Sequence, residues 1–347
     1  MAKTLESPDL YTIGWIVALP IERAAATAML DERHGTPDGF EQHPNDSNSY
    51  TWGRVDKHNI VIASLPAGIY GLVAASNTVS RLLSSLPDIR IGLLVGIGGG
   101  IPRHGPRGDV LDIRLGDIAV SQPSKTEGGV IQYDLGKLGP DDKWERVGSL
   151  DKPPQVLLNA LTNLQAEHEM SPSRVPEFLK QMWVKFPMMA KSQDGQPAYI
   201  HQGSTYKDRL FKSAYDHNST SGANCSLCES KFEVFRRDRP SDNPKIFYGT
   251  IASGNTLNKE PYSRDDIVEK AGQQCICFEM EAAGLMDSFP CLVIRGICDY
   301  SDSHKNDQWQ RYAAATAAAY AKELLGFVPV RELRGIRRAV DVVGSSQ

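Results

Sequence analysis

The stretch FEMEAAGLMDSFPCLVIRGICDYSD, residues Phe278–Asp302, joins a carboxylate-rich triplet to a small-residue segment and an apolar run. The β-branched run Cys291–Ile297 is typical of a buried strand, and Asp299 follows it directly. Ligands of open α/β sheets bind beyond the carboxyl ends of the strands. The carboxylates here therefore either solvate the ends of two elements or converge on one pocket.

Around this stretch, apolar β-branched runs alternate with helical patterns, which predicts an α/β fold with a sheet covered on both faces. Predicted strands cover Tyr11–Leu19, Thr51–Val55, Asn59–Leu65, Ile91–Val95, Gly116–Ser121, Ile246–Ser253 and Cys291–Ile297, the second and third as a hairpin. Predicted helices start at Pro20 and cover Gly71–Ser85, Val156–His168, Val175–Phe186, Arg264–Ala271 and Gln308–Leu325, with a strand end plus helix over Cys277–Asp287.

The middle of the chain differs from the rest in composition. Residues 122–244 are richer in Pro, Lys, Asp and Ser, and Gly203–Asn243 is polar and charged. This composition predicts a polar insertion or mobile lid. We expect a single domain over residues 10–326 that carries this insertion, and a C-terminal tail or linker over residues 327–347.

The overall composition excludes some classes of partner. The 347 residues are 41% hydrophobic and 23% charged, with a formal net charge of −4. This balance is ordinary for a globular protein, and it gives no support to nucleic-acid or membrane-surface binding. The first twenty residues do not resemble a signal peptide, and no apolar run reaches the length of a membrane span. Four of the six cysteines lie in or near apolar segments, as reduced thiols usually do, so we expect a soluble cytoplasmic protein.

Carboxylates stand at three predicted strand-to-helix junctions. Glu22 lies in the first helical turn after the first strand, Glu279 and Glu281 lie two apart, and Asp299 ends the last strand. Any one of them could serve stability alone, since acidic residues favour helix N-termini. Their co-occurrence predicts a site. Arg295 has the strand parity of Asp299, and we expect it to pair with another carboxylate or with the backbone.

Five motifs, VGIGGGIP, LGDIAVS, IASGN, FEMEAAG and VIRGICDYSD, follow one another along the chain. In this order they resemble the nucleoside phosphorylase/nucleosidase superfamily, which includes purine nucleoside phosphorylases and methylthioadenosine/S-adenosylhomocysteine nucleosidases. The style is closest to fungal nucleoside-phosphorylase-like proteins, some of which are N-terminal domains of larger NTPase-containing receptors. The resemblance covers most of the chain outside residues 122–244. It implies a three-layer α/β/α fold with a central mixed sheet, and we expect a homo-oligomer.

The resemblance also implies an activity, hydrolysis of the N-glycosidic bond of a purine nucleoside or nucleotide. Asp299 would protonate purine N7, Glu281 would hold the ribose hydroxyls, and Glu22 would position the attacking water. These roles suit the chemistry, because a purine leaves more easily when protonated and the sugar develops oxocarbenium charge. We expect no cofactor. The predicted substrate-binding residues are Ile97, Gly98, Asn255, Phe278, Glu279, Met280, which would pack under the sugar, and Arg295.

Phosphate is the alternative nucleophile. Gly96–Gly100 could cradle an anion with backbone N–H groups, and Arg103, His104 and Arg107 follow closely. The same glycines could instead only allow a tight turn after the strand. LPIER stands where some phosphorylases carry a phosphate loop, and Glu22 would repel phosphate there, so we predict water. A non-catalytic nucleoside-sensing or effector domain is a further alternative.

Three departures from the bacterial nucleosidases leave the substrate open. Ile97 stands where their loop has Ser, Asn255 replaces an acidic residue, and Leu257 stands where an aromatic often stacks on the base. Asn255 could therefore serve only to orient a loop. The base would pack on Phe278 or on an aromatic side chain of the insertion. Adenosine, inosine, guanosine or a nucleotide all remain candidates.

The insertion contains the CxxC pair Cys225 and Cys228, eight residues after His217. A zinc site needs four ligands, and no second CxxC is present. Two interpretations stay open. The pair and His217 could bind zinc with a fourth ligand, or the cysteines could be ordinary loop thiols.

Overall fold

A computed structural model describes residues 2–105, 108–139, 144–201, 203, 205–217, 225–255, 268 and 275–344. Its strands are β1 (Ile13–Val17), β2 (Glu32–His34), β3 (Tyr50–Val55), β4 (His58–Ser64), β5 (Ile91–Gly100), β6 (Arg103–Gly105), β7 (Gly108–Leu111), β8 (Ile118–Ser121), β9 (Val130–Gln132), β10 (Gly136–Leu138), β11 (Trp144–Arg146), β12 (Ile246–Ser253), β13 (Cys275–Glu279) and β14 (Cys291–Asp299). Its α-helices are α1 (Pro20–Met29), α2 (Leu72–Ser85), α3 (Gln155–Met170), α4 (Val175–Lys185), α5 (Gln310–Leu325), α6 (Val330–Gly335) and α7 (Ala339–Gly344).

The described strands form one large mixed sheet and two small hairpins. The sheet order is β13-β12-β8-β14-β5-β1-β4-β3-β2, and β9 pairs with β12. Strands β1, β4, β5 and β14 run parallel, whereas β8 is antiparallel to β14. Strand β13 runs parallel to β12 and also pairs antiparallel with the end of β5. This second pairing closes β5, β14, β8, β12 and β13 into a barrel-like ring.

Helices cover both faces of the sheet, which confirms the predicted three-layer α/β/α architecture. Helices α1, α3, α4 and α5 share one apolar core with the sheet, and α2 and a 3-10 turn at Ala282–Gly284 share the other. Small residues bring α5 close to β14, since a Cβ at Gly296 would overlap the carbonyl oxygen of Ala313. The Ala-rich sequence of α5 therefore sets the close spacing between this helix and the sheet.

The helix predicted after Glu279 is wrong in extent, because the structure has only the 3-10 turn there. The Glu279 carboxylate accepts the N–H groups of Glu281 and Ala282, which competes with regular helix formation. A Cβ at Gly284 would also overlap the carbonyl oxygen of Leu72, so the turn lies directly against α2. The other predicted elements on described residues are present, with β5 running on to Gly100. Of the helix predicted over 264–271, all residues except 268 lie outside the described part of the chain.

The insertion and the C-terminal segment both contain structure that the predicted domain organisation did not include. Helices α3 and α4 of the expected insertion bury Leu161 and Phe178 in the main core, so they belong to a structural layer of the domain. After residue 326, where we predicted a tail or linker, the short helices α6 and α7 form. Leu333 is buried, and the N–H of Ala339 donates to the carbonyl of Ile89 at 2.7 Å. These anchors are single residues without a period, which is why the sequence pattern does not reveal them.

Within the part of the chain that the structure describes, no helix has the length and apolar character needed to cross a membrane.

Candidate active site

A cavity of about 330 Å³ opens at the carboxyl ends of β1, β5 and β14, and β13 closes one side of it. Strand β13 runs antiparallel to β5, with Phe278 paired to Gly99. This pairing places Glu279 and Glu281 beside the end of β5, in the lining of the cavity. Most of the predicted site residues line this cavity: Glu22, Ile97, Gly98, Phe278, Glu279, Met280, Glu281, Arg295 and Asp299.

Glu22 lies in the first turn of α1 and is held by backbone donors. One carboxylate oxygen accepts the N–H groups of Ala18 at 2.7 Å and Leu19 at 2.9 Å, and the other accepts that of Ile97 at 2.8 Å. Burial raises the pKa of Glu22, although these bonds and the Arg295 charge act in the opposite direction. A fixed carboxylate with a raised pKa is suited to accept a proton near neutral pH.

Arg295 lies buried on β14 and joins the two glutamates of the Glu-Met-Glu triplet. Its Nη2 donates to Glu279 Oε2 and, at 3.2 Å, to Glu281 Oε2. The expectation that Arg295 pairs with a carboxylate other than Asp299 is confirmed. Glu281 Oε1 also accepts the N–H of Gly71 at 3.3 Å. The triplet is therefore fixed by β14 and by the start of α2.

Three buried carboxylates, Glu22, Glu279 and Glu281, thus surround one guanidinium. Burial, together with repulsion from the other two carboxylates, raises the pKa of Glu281 to about 7, although the Arg295 charge lowers it. With all three ionised, this group carries an excess of negative charge facing the cavity. Such an excess favours a positive charge that develops on a bound sugar.

The glycine run Gly96–Gly100 forms neither the tight turn nor the anion cradle that the sequence suggested. It continues β5 as extended strand, paired with β14 and, at its end, with β13. The N–H of Ile97 already donates to Glu22. Arg103 does not belong to the cavity lining, and the Arg107 and His104 side chains lie outside the described part of the chain.

Neighbouring side chains fill the space above these glycines, which explains why the glycines carry no side chains of their own. A Cβ at Gly96 would overlap Arg295 Nη1 and Glu22 Oε1. A Cβ at Gly99 would approach Asp299 Oδ1 to 2.8 Å, closer than side-chain carbons pack. The bare strand therefore lets charged groups from β14 and α1 converge over its surface.

Asp299 ends β14 and is buried at the cavity wall. Its Oδ1 accepts the N–H of Ser301 at 2.9 Å, and Lys305 Nζ lies 3.2 Å from Oδ2. Burial lowers the pKa of Lys305, but the Asp299 carboxylate outweighs this and raises it. Lys305 was not predicted, because a lone lysine in a polar loop has no periodic signal. Tyr70, Ser301 and Gln310 also line the cavity without having been predicted, and Tyr133 is an aromatic side chain of the insertion that the sequence did not single out.

Aromatic side chains form a further wall. Phe278 and Tyr133 meet edge to face, with ring centroids 5.5 Å apart, and Tyr133 belongs to the predicted insertion. Asn255 does not line the cavity. Its Oδ1 accepts the N–H of Leu72 at 3.2 Å, and its own N–H donates to Asp134 Oδ2 at 2.7 Å. These bonds match the loop-orienting role that the sequence left open for Asn255.

The possible zinc ligands Cys225, Cys228 and His217 lie together, and they are outside this cavity.

Comparison with solved structures identifies the fold. Futalosine hydrolase of Helicobacter pylori superposes with a TM-score of 0.55 at 15% identity, covering 92% of this chain and 99% of that one. The 5'-methylthioadenosine/S-adenosylhomocysteine nucleosidase of Neisseria meningitidis, in complex with methylthio-immucillin-A, superposes with a TM-score of 0.54 at 15% identity, covering 91% and 99%. The chain has the fold of the nucleoside phosphorylase/nucleosidase superfamily, as its motifs indicate.

Sequence comparison adds two relatives, although no protein-family model matches the chain. A nucleotide-binding leucine-rich repeat (NLR)-like protein of Hyaloscypha variabilis is 43% identical over 329 residues, which cover 94% of this chain and 30% of that protein. The ATP nucleosidase Cap17 of Escherichia coli is 35% identical over 81 residues, which cover 22% of this chain and 16% of that protein. The chain thus spans less than a third of the length of either relative.

Proposed function

We propose that the chain is a purine nucleoside or nucleotide N-ribosyl hydrolase. The observation that carries this proposal is the convergence of Glu22, Glu281 and Asp299 on one cavity of about 330 Å³. These carboxylates come from three separate elements, and burying a charged group costs stability unless it is paired and hydrogen-bonded. Bringing three of them to one cavity is therefore more typical of a functional site than of a structural core. The fold and the sequence similarity to an ATP nucleosidase give independent support.

In the proposed reaction the bond between the anomeric carbon and purine N9 breaks, and its electron pair moves into the purine. Asp299 gives a proton to N7, which stabilises the leaving base. Glu281 binds the ribose hydroxyls, and Met280 packs under the sugar. Glu22 orients a water molecule, whose oxygen bonds to the anomeric carbon while Glu22 accepts its proton.

The charges around Asp299 set a condition on its role. Lys305 Nζ lies 3.2 Å from Asp299 Oδ2 and so occupies that oxygen. A bound purine must therefore displace the ammonium from Oδ2 before the carboxyl group carries a proton to N7. Because Lys305 is partly exposed and lies in a loop, we infer that it can move aside.

Water is the proposed nucleophile because the cavity offers little to a phosphate ion. Among the described residues that line it, the cationic side chains are Arg295 and Lys305, and both are paired with carboxylates. Glu22 also lines the cavity, and its carboxylate would repel a phosphate ion there. The proposed partner is a small purine nucleoside or nucleotide. The predicted homo-oligomer is tested by sedimentation of the purified chain.

The substrate screen is the decisive experiment. Adenosine, inosine, guanosine, methylthioadenosine, ATP and GTP are incubated with the protein, with and without phosphate, and products are separated by chromatography. We expect free purine base and a sugar with a free anomeric hydroxyl, at a rate independent of phosphate. Ribose 1-phosphate would establish a phosphorylase. Calorimetric binding without base release over hours would establish a sensing domain, which the similarity to an NLR-like protein would suit.

Replacing Glu281 with glutamine is expected to stabilise the fold at neutral and alkaline pH. Burial raises the pKa of Glu281 from its usual 4.5 to about 7. The folded chain therefore holds a proton that the unfolded chain releases, and stability falls as pH rises from about 4.5 to about 7. The loss is about 3 kcal/mol for this group, and the uncharged Glu281→Gln side chain should not show it.

Urea unfolding at pH 5 and pH 8 tests this, with the exposed Glu41→Gln as the matched control. We expect the variant, unlike the control, to gain stability over the native chain at pH 8, while its kcat/KM drops. The kcat/KM of the native chain should rise with pH through about 7, since the ionised carboxylate is the form that favours sugar charge. Equal stability of variant and native chain at pH 8 would contradict the buried charge.

A further inference from the structure

A second cluster of potential ligands lies in the insertion, away from the cavity. The Sγ atoms of Cys225 and Cys228 each lie 3.5 Å from His217 Nδ1, and all three ligand atoms fall within 4.8 Å of one another. Both cysteines are buried, and neither forms a disulfide. In tetrahedral zinc sites, Zn–S of about 2.3 Å and Zn–N of about 2.0 Å separate sulfur from nitrogen by about 3.6 Å.

We propose that Cys225, Cys228 and His217 bind a structural zinc ion, which fastens the insertion to the loop that carries Ser301–Lys305. Thiolate and imidazole are the ligands that zinc prefers, and the CxxC spacing is typical of structural zinc sites. If the cysteines were ordinary thiols, the two 3.5 Å contacts would be S–H···N hydrogen bonds. A neutral imidazole nitrogen has one lone pair to accept such a bond, so two sulfur atoms around one Nδ1 fit a shared metal ion better than two thiol donors.

The backbone around the cysteines is arranged to present both sulfur atoms on one side. Cys225 has a left-handed φ of 54°, and the N–H of Cys228 donates to the Cys225 carbonyl at 3.1 Å, forming a tight turn. Arg209 donates to the carbonyl groups of both cysteines. A left-handed conformation at a non-glycine residue is costly, and it persists where surrounding contacts impose it.

His304 borders the cluster without belonging to the group of three ligand atoms, so its ring would have to turn to take the fourth position. His304 is only 7% exposed, and neither ring nitrogen has a hydrogen-bond partner among the described residues. The ring stacks on Phe211 and meets the His217 ring edge to face, with centroids 5.4 Å apart. Its Nδ1 lies 3.8 Å from Asp302 Oδ1, too far for a hydrogen bond. A buried imidazole without a hydrogen-bond partner costs stability, and coordination of a metal would satisfy it.

The cluster is connected to the cavity through one short loop. The N–H of His217 donates to Ser303 Oγ at 3.0 Å, and Cys225 Sγ lies 3.9 Å from the His304 carbonyl oxygen. The same loop contains Lys305, which pairs with Asp299. Zinc would thus hold in place the loop whose lysine contacts the proposed acid, without contacting substrate itself.

The test measures metal before activity, so it does not depend on the proposed hydrolase function. The full-length chain is purified without chelator and analysed by mass spectrometry for metals. We expect about one zinc per chain, as structural sites bind tightly. Cobalt added to the chelator-treated chain should give thiolate charge-transfer absorption and tetrahedral d–d bands. Less than about a tenth of an equivalent of zinc, or cobalt bands without thiolate absorption, would overturn the site.

Variants separate the ligands from other thiols. Cys228→Ser should lose the zinc, whereas Cys291→Ala, which removes a buried thiol from the sheet core, should keep it. His304→Ala should weaken zinc binding at least tenfold in a competition assay with a chromogenic chelator. If Cys228→Ser fails to fold, the cobalt spectrum of the native chain decides. If zinc is bound yet no nucleoside is cleaved, the metal site stands and only the proposed activity fails.

Discussion

Asp299→Asn should reduce purine release by about 10³-fold, because an amide cannot give a proton to N7. The replacement is nearly isosteric, and its oxygen can still accept the N–H of Ser301. We therefore expect the fold and the binding of nucleoside to survive. The loss should appear in kcat rather than in the dissociation constant.

The measurement is single-turnover base release, with binding followed by calorimetry on the same preparation. Asp38→Asn, on the exposed surface, is the matched control and should leave both quantities unchanged. Some purine analogues leave as stable anions, because the N9–H group of the free base has a low pKa. The nucleoside of such an analogue needs no protonation at N7, so it should react nearly as fast with the variant as with the native chain. Unchanged turnover of ordinary purines would remove Asp299 from the acid role.

Glu22→Gln is expected to have the second-largest effect, a loss of about 10²- to 10⁴-fold in hydrolysis. Both carboxylate oxygens accept backbone N–H groups, from Ala18 and Leu19 on one side and Ile97 on the other. An amide must turn its NH₂ group toward one of these donors. The variant therefore loses both the proton acceptor and the geometry that holds it.

Glu22→Ala separates these two effects. It removes the side chain without placing a donor against a donor, and added formate or azide can enter the vacated space. We expect the alanine variant to bind nucleoside and to regain base release in the presence of these anions. Loss of binding in both variants, with no rescue, would assign Glu22 to the fold instead of the reaction.

Much of the architecture could be predicted from local patterns. Burial could be predicted for the apolar runs that begin at Ile91 and Cys291 and for the Ala-rich helix. In each of them the pattern of apolar residues follows directly from the secondary structure. The positions of Glu22 and Asp299 could also be predicted, because the parallel strands β1 and β14 bring their carboxyl ends to one edge. Glu279 ends β13 and Glu281 follows it, and this strand is antiparallel to β5, so the rule does not place them. Arg295 was expected to find another acidic partner, and it contacts Glu279 and Glu281.

Other parts of the site depend on tertiary contacts that leave no local pattern. The glycine run from Gly96 resembles a turn or an anion loop in sequence, yet it forms a strand. Glycine is needed at Gly96 because a Cβ there would overlap Glu22 and Arg295, and the sequence does not show that these side chains lie over the strand. Lys305 reaches Asp299 through a loop whose course depends on the insertion. Tyr133 was hidden for the same reason, since the insertion contributes a wall of the cavity only after folding.

The pairing of β13 (Cys275–Glu279) with the end of β5 (Ile91–Gly100) has a consequence for folding. Glu22 precedes Glu281 by 259 residues and Asp299 by 277 residues in the sequence. Contacts between residues so far apart in sequence form late and slowly. A chain truncated before β13 would therefore carry Glu22 without Glu281 and Asp299, and the proposed hydrolysis could begin only after the barrel-like ring has closed.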